Sequence, residues 1–373
     1  MTLKAKLLNL AALFFKLGCI SFGGPAAHIA MMEDEVVTKR KWMTHAHFLD
    51  LIGATNIIPG PNSTEMTMHC GYERAGWKGL FVAGISFIVP AVFITACLAW
   101  LYQRYGTLPE VAPFIYGIKP AVIAIIIMAA YRLGKKAVKS NVLAVLGVLT
   151  LVVCFLGLNE ILVLFGCGFL GLSLYYVSKK TSTLNSFIPF LILQVSEPFK
   201  IGLLKLFLTF LKVGAILYGS GYVLFAFLDS ELVGNGWLTR QALIDAVAVG
   251  QITPGPVLST ATFIGWQMHG IQGALLATLG IFLPSFLFVL ILNPLVPNIR
   301  KSKPLSAFLD AVNVAAVALI IFVCIQMGIE SITDWKTITI AGMSLIVVFV
   351  FKKLNSAFIV LGGAVLGYLL TLV

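Results

Sequence analysis

Two triplets, Pro59-Gly60-Pro61 and Pro254-Gly255-Pro256, stand 195 residues apart in this chain, and the residues around them repeat as well. Phe14-Phe15-Lys16-Leu17-Gly18 aligns with Phe210-Leu211-Lys212-Val213-Gly214, and Phe22-Gly23 with Tyr218-Gly219. Trp42 and Thr44 match Trp237 and Thr239, and Phe48-Leu49-Asp50 matches Leu243-Ile244-Asp245. Gly79, Pro90 and Phe114 match Gly273, Pro284 and Phe308. The offset drifts only from 196 to 194 along this stretch, a register that shared composition does not keep. The chain therefore reads as two tandem copies of one unit: residues 1–180, a linker over 181–199, and residues 200–373.

Only 11% of the 373 residues are charged and 59% are hydrophobic. A soluble domain carries about 25% charged residues. Too few charges exist here to cover a water-facing surface, so most of the surface must face lipid. Apolar stretches at 80–102, 111–131, 141–158, 161–177, 273–292, 306–327 and 336–351 approach or reach the ~17–25 residues that a span needs. The first apolar run, 7–22, carries Lys16 and continues into Gly23-Gly24-Pro25 without a small-residue cleavage site, so no removable leader is expected. Six cysteines are scattered singly, with no Cys or His spacing for a metal, and no cofactor is expected. The net charge of +11 lies in short loops, which favours membrane orientation and anion attraction over nucleic-acid binding.

Basic loops set the expected topology. With five crossings per copy and each Pro-Gly-Pro segment entering and leaving on one side, Lys39-Arg40-Lys41, Arg74, Lys78, the cluster 132–139 and Lys301-Lys303 share the cytoplasmic side. The acidic loops 229–235 and 330–334 then fall outside. An odd number of crossings inverts the second copy. The expected fold is thus an all-α polytopic membrane protein of two tandem, inverted repeats. Each has about five transmembrane helices plus a re-entrant Pro-Gly-Pro hairpin. The residues fix no oligomeric state, and a homodimer is left open.

Each copy opens with two broken apolar segments. The first is interrupted at Gly23-Gly24-Pro25 or Gly219-Ser220-Gly221, the second at Pro-Gly-Pro. Broken helices at membrane depth are tolerated only inside protein or beside water, and matched breaks in two halves point to a transporter's binding site. Helices starting at Pro61 and Pro256 would aim free N–H groups and partial positive charge at the break. Beside them stand Asn56, Asn62, Ser63 and Thr64 in one copy, and Gln251, Thr253, Ser259 and Thr260 in the other. Such groups suit a tetrahedral oxyanion; the alternative is that the prolines only kink a helix.

Lys16 and Lys212 hold equivalent places inside apolar segments, where a lysine costs about 2.5–3.5 kcal/mol on insertion scales. A divalent anion would offset both, while snorkelling to an interface is the other reading. Asp50 and Asp245 are equivalent too; they could line a hairpin, pair with those lysines, or carry protons. Glu65 has no counterpart, Thr260 standing in its place, and is a proton-coupling candidate alongside a plain hydrogen-bonding role. His28, three residues past the glycine break, joins it as a candidate beside a structural alternative. Lys119, matched by Asn313, is a weaker one.

These motifs resemble the chromate ion transporter family. The resemblance rests on Phe22-Gly23-Gly24-Pro25 with His28 and Glu33-Asp34-Glu35, on Asn56-Ile57-Ile58-Pro59-Gly60-Pro61, and on Gly250-Gln251-Ile252-Thr253-Pro254-Gly255-Pro256. Their order, spacing and duplication cover nearly the whole chain, as in the family's long two-domain members. It implies secondary export of chromate, with sulfate as a chemical look-alike, across the bacterial cytoplasmic membrane. The second copy departs from the pattern, having Gly219-Ser220-Gly221 and no His. An anion channel could use the same helix starts. A nucleotide-driven pump lacks a Walker motif here, and an intramembrane enzyme lacks HExxH, GxSG or paired aspartates in the apolar segments.

Overall fold

The computed structural model describes residues 2–22, 24–55, 58–106, 108–178, 202–218, 221–293, 302–351 and 354–372. Among them every regular element is helical. The linker expected over 181–199 lies outside the described residues, as do Gly23 and Asn56.

The first repeat comprises α1 (Leu3–Ile20), α2 (Pro25–Glu33) continuing into a π-turn (Asp34–Lys39), α3 (His45–Thr55), α4 (Asn62–Tyr105), α5 (Ala112–Ala137), α6 (Asn141–Phe155) and α7 (Glu160–Ser178). The second comprises α8 (Leu203–Ile216), α9 (Val223–Leu228) with its own π-turn (Asp229–Val233), and α10 (Arg240–Ile252). A 3-10 turn (Val257–Ser259) then leads into α11 (Thr260–Leu292), followed by α12 (Lys303–Ser331), α13 (Trp335–Val350) and α14 (Ser356–Thr371). Apart from the 3-10 turn, the two series match element for element, π-turn included. Polar residues cap the apolar helices: Thr2, Ser140, Thr239, Ser302, Asp334 and Asn355 each accept a backbone N–H in the first turn.

Both α4 and α11 are two helices joined by a reversal. Ala75 and Gly76 leave helical geometry in α4, as His269 and Gly270 do in α11, and both glycines take positive φ, 62° and 57°. The limbs run back along each other so closely that a methyl group on Gly71 or Gly79 would strike the other's backbone; Gly265 and Gly273 meet in the same way. The sequence reading matched Gly79 with Gly273 without seeing this turn.

The reversals give each repeat a helical hairpin. In the first, α3 and residues 62–74 enclose the Pro-Gly-Pro break. Their far ends meet again through His47 and Glu73 (3.1 Å), with the Arg74 guanidinium 5.0 Å from the Trp42 ring centre. Residues 77–105 then run about 43 Å at 1.5 Å per residue, away from that end. Near their finish they meet the second hairpin, where Trp266 Nε1 donates to Gln103 Oε1 (3.0 Å) and Gln267 Nε2 to the Ala99 carbonyl (3.0 Å). The reversals of the two repeats therefore lie at opposite ends of residues 77–105. Lys205, in the first turn of α8, lies 4.5 Å from the Trp237 ring centre, so α8 and α9 leave and return to one level.

Small and branched residues pack the middle. Val122, Ala124 and Ile126 of α5 and Ala315, Leu319 and Val323 of α12 are buried, whereas Val145, Leu156, Ile346 and Phe358 face outward. An apolar outside over a tightly packed inside is what lipid solvation requires. Among the described residues five helices are long and apolar enough to span, and α4 and the α11 element, both folded back, are two of them.

Candidate functional site

The two Pro-Gly-Pro breaks are locked into the opposite repeat by reciprocal backbone bonds. Gly60 N–H donates to the Leu217 carbonyl (2.6 Å), and Gly255 N–H to the Ser21 carbonyl (2.7 Å). Leu217 and Ser21 are themselves equivalent, each ending the first broken segment of its repeat. Each Pro-Gly-Pro break thus bonds to the end of the first broken segment of the other repeat. Glycine is required at both crossings. Gly60 has φ of 147° and Gly255 of 89°, and a methyl at Gly60 would strike the Glu65 and Ser285 side chains. At Gly255 it would stand 2.9 Å from the Ala91 methyl and 3.2 Å from the Gly18 carbonyl oxygen.

Pro61 caps α4 instead of starting it, and Asn62 is the first helical residue. The Pro61 carbonyl accepts from Thr64 and Glu65 N–H (2.8 and 3.0 Å). Ser63, Thr64 and Glu65 are buried behind the break, and both Glu65 carboxylate oxygens lack a hydrogen-bond partner among the described residues. In the other repeat Gln251, Pro254, Pro256 and Ser259 are buried too. Thr95, from α4, brings its hydroxyl 3.1 Å from Ser259 Oγ and 3.4 Å from Thr253 Oγ1. The Tyr222 hydroxyl sits beside Gly24, 3.5 Å from where a methyl on that glycine would lie. His28 is buried edge-on against Phe87, ring centres 5.8 Å apart.

A cavity of about 850 Å³ reaches this region from the face of the first hairpin. Gly24 and Pro25, at the start of α2, and Asn62, at the start of α4, lie in its wall. So do Arg132, Lys135 and Lys136 from the end of α5, Lys139 just beyond it, and Asn313 from α12. Lys139 is paired with Asp310 at 2.7 Å. The cavity thus joins basic side chains to two helix N-termini, a combination suited to an anion. In the sequence the 132–139 cluster stands out as loop charge alone, and its position on a cavity wall follows from where α5 ends.

Lys16 and Lys212 are not on that wall. Each is bonded to the glutamate 19 residues further on, Lys16 to Glu35 at 3.5 Å and Lys212 to Glu231 at 2.7 Å. Both glutamates are buried on the π-turns, and Arg40 and Lys39 also reach Glu35. The carboxylates that meet the paired lysines are therefore Glu35 and Glu231, not Asp50 and Asp245. Glu35 and Glu231 are equivalent at the same offset of 196, between the matched Gly23 and Trp42, but helical spacing does not pair them with the lysines.

Asp245 instead contacts the first repeat. Its carboxylate lies 3.2 Å from Lys119 Nζ on α5 and accepts from the Tyr102 hydroxyl at 2.6 Å. Asp50, its counterpart on α3, is exposed. Lys119 and Asp245 line a second pocket, of about 370 Å³, with Tyr116, Gln241 and Glu330 at the opposite face.

Comparison with known proteins bears on the same segments. The family model described as "Chromate transporter" matches twice, over residues 8–172 and 204–368. The chain is 33% identical to a probable chromate transport protein of Synechococcus elongatus, over 96% of this chain and 94% of that one. It is 32% identical to the chromate transport protein of Cupriavidus metallidurans, over 96% and 92%. The Pseudomonas aeruginosa chromate transport protein is 28% identical, over 97% and 92%. No solved structure matches. Both repeats answer to one pattern, and the relatives align along nearly their full length: the chain belongs to the chromate transporter family.

Proposed function

We propose that this chain is a secondary transporter that exports chromate, or a related divalent oxyanion such as sulfate, across the bacterial cytoplasmic membrane. The observation that carries the reading is the basic cavity ending at helix N-termini beside the interlocked breaks. The anion enters between Arg132, Lys135 and Lys136 and descends to the helix N-termini that begin at Pro25 and Asn62. There it meets hydroxyls and amides instead of a further buried charge, so binding stays weak enough for release. Lys16 and Lys212, already matched by glutamates, hold the broken segments to their π-turns and serve the site indirectly.

The cavity's face carries the basic loops, which supports a cytoplasmic opening under the positive-inside rule, the side from which an exporter loads. Alternating access follows if the repeats rock about the Gly60–Leu217 and Gly255–Ser21 bonds, opening the small pocket as the large one closes. A channel would need both open at once, and the Lys119–Asp245 contact between repeats argues for a transporter. Glu65, buried beside Gly60 and Ser285, is the proton-coupling group of this proposal.

Labelled chromate and sulfate flux in sealed inverted vesicles tests it, with and without an imposed pH gradient. Saturable chromate uptake, competed by sulfate and raised by the gradient, is expected. Non-saturating currents far above transporter turnover would favour the channel. No specific flux of either anion would end the proposal.

A further inference from the structure

Lys119 is a largely buried cation that the binding scheme above does not use. Its side chain is 16% exposed and that of its partner Asp245 is 6% exposed. The Tyr102 hydroxyl completes the cluster from the same repeat as Lys119. Three features separate this pair from an ordinary structural salt bridge. It joins the two repeats, α5 of one to α10 of the other, so relative motion of the repeats must strain or break it. It lies on the wall of the 370 Å³ pocket, at the face opposite the basic cavity. And α5 links the two spaces: Arg132, 13 residues beyond Lys119, is about 20 Å further along the helix and lines the large cavity.

The pseudo-symmetric position shows what the pair does. Asp50 stands for Asp245 and Asn313 for Lys119. Asn313 lines the wide cavity, and an asparagine offers no charge to hold a carboxylate there. The side with Asn313 is wide, and the side with Lys119 is narrow. Asp245 also lies on the limb that leads to Pro254-Gly255-Pro256, so the pair anchors one arm of the second hairpin.

We propose that Lys119 is the anion's ligand in the narrow pocket, and that the Asp245 carboxylate occupies its place until a divalent oxyanion displaces it. The inference rests on the transport reading above. The exchange is an ionic substitution with no covalent step. The oxyanion takes over the Lys119 ammonium and the Tyr102 hydroxyl, and Asp245 moves out with α10, opening the exit. A divalent tetrahedral anion outcompetes the carboxylate by its second charge, and a monovalent anion of similar size does not.

The test uses the full chain in sealed vesicles, with Gln241→Cys in a Cys97→Ser background and a membrane-impermeant thiol reagent applied from the narrow-pocket face. Chromate or sulfate should raise the labelling rate about tenfold, equivalent to ~1.4 kcal/mol of differential binding, and nitrate should not. Asp245→Asn should label fast without anion. The double variant Lys119→Gln/Asp245→Asn leaves no buried unpaired charge, which keeps the fold. It should also label fast, with no anion response and with chromate transport lost. Lys119→Arg should restore the response. A merely structural pair would change stability without making labelling depend on divalent anion. Labelling that ignores chromate in the unaltered pair, while chromate flux is normal, overturns this inference alone. Absence of flux in the unaltered protein removes the transport reading and this inference with it.

Discussion

The two repeats share a frame and differ in the polar residues mounted on it. Each has a lysine bonded to a glutamate on a π-turn, a reversal closed by facing glycines, and a Pro-Gly-Pro glycine that donates across to the other repeat. Yet Glu65 faces Thr260, Lys119 faces Asn313, and Asp334 faces Ser140. Where the copies agree, the residue serves the architecture, since a pseudo-twofold frame must satisfy the same geometry twice. Where they differ, the residue is free to do something once per molecule: hold a proton, close one side, or set a local pH response.

The largest effect belongs to the shared frame. Gly60→Ala and Gly255→Ala should each abolish transport and most folded protein, and by similar amounts. Backbone strain alone costs about 1–3 kcal/mol, and each added methyl also meets neighbours, the Glu65 and Ser285 side-chain ends at Gly60 and the Ala91 methyl and Gly18 carbonyl at Gly255. Yield of monodisperse protein in detergent, with chromate flux from what survives, measures it. If one variant were tolerated and the other not, the crossings would not be equivalent.

The lysines break the symmetry next. Glu35 is reached by Lys16, Lys39 and Arg40, whereas Glu231 is reached by Lys212, with Arg240 committed to Asp229 and Glu330. Removing Lys212 strands a buried carboxylate more completely, and an unpaired buried charge is among the costliest changes. Lys212→Gln should therefore lose more folded protein than Lys16→Gln, and Glu231→Gln added to it should recover part of the loss. Equal losses would mean that Lys39 and Arg40 do not share the load of Glu35.

Duplication and break positions were legible in the sequence because nothing replaces glycine or proline where the backbone must turn at membrane depth. The interlock was not. It runs through the N–H of Gly60 and the carbonyl of Leu217, groups that every residue at those places would carry. The Lys119–Asp245 contact was hidden for the opposite reason: Lys119, unmatched by Asn313, carries little weight among repeated features, and nothing in the sequence joins it to Asp245. Lys16 and Lys212 were visible as a pair, but their partners lie 19 residues on, past a break, where helical spacing no longer predicts who meets whom. The basic stretch 132–139 was visible as charge only, since its cavity exists only once α5, α12 and the first breaks are brought together.

Glu65 against Thr260 gives a sharper and smaller test. Glu65→Gln should leave chromate flux down its own gradient while removing the response to a pH gradient. Thr260→Val removes the hydroxyl's bond to the Val257 carbonyl (2.8 Å), worth about 0.5–1.5 kcal/mol, and should lower stability with coupling unchanged. Flux measured at fixed anion gradient with pH varied on one side separates the two. Retained pH drive in Glu65→Gln would take proton handling away from this position.

The smallest effect lies outside the site, at the helix starts capped by Ser140 in one repeat and Asp334 in the other. Ser140 accepts from Leu143 N–H (3.3 Å) and Asp334 from Thr337 N–H (2.8 Å). The Thr337 N–H, with a hydrogen bond from the Tyr116 hydroxyl, holds the Asp334 carboxyl below its ordinary range. A depressed value in the folded protein contributes stability that is present above the unfolded pKa, about 3.9 for aspartate, and is lost as pH falls through the folded value. Asp334→Asn should therefore unfold at a lower temperature than the parent at neutral pH, and the two should converge in acid. Ser140→Ala should show a small deficit that does not change with pH, because a hydroxyl cap does not titrate. Thermal unfolding in detergent across that range, with transport unaffected in both variants at neutral pH, distinguishes a cap that one repeat has made acid-sensitive from two caps that merely look different.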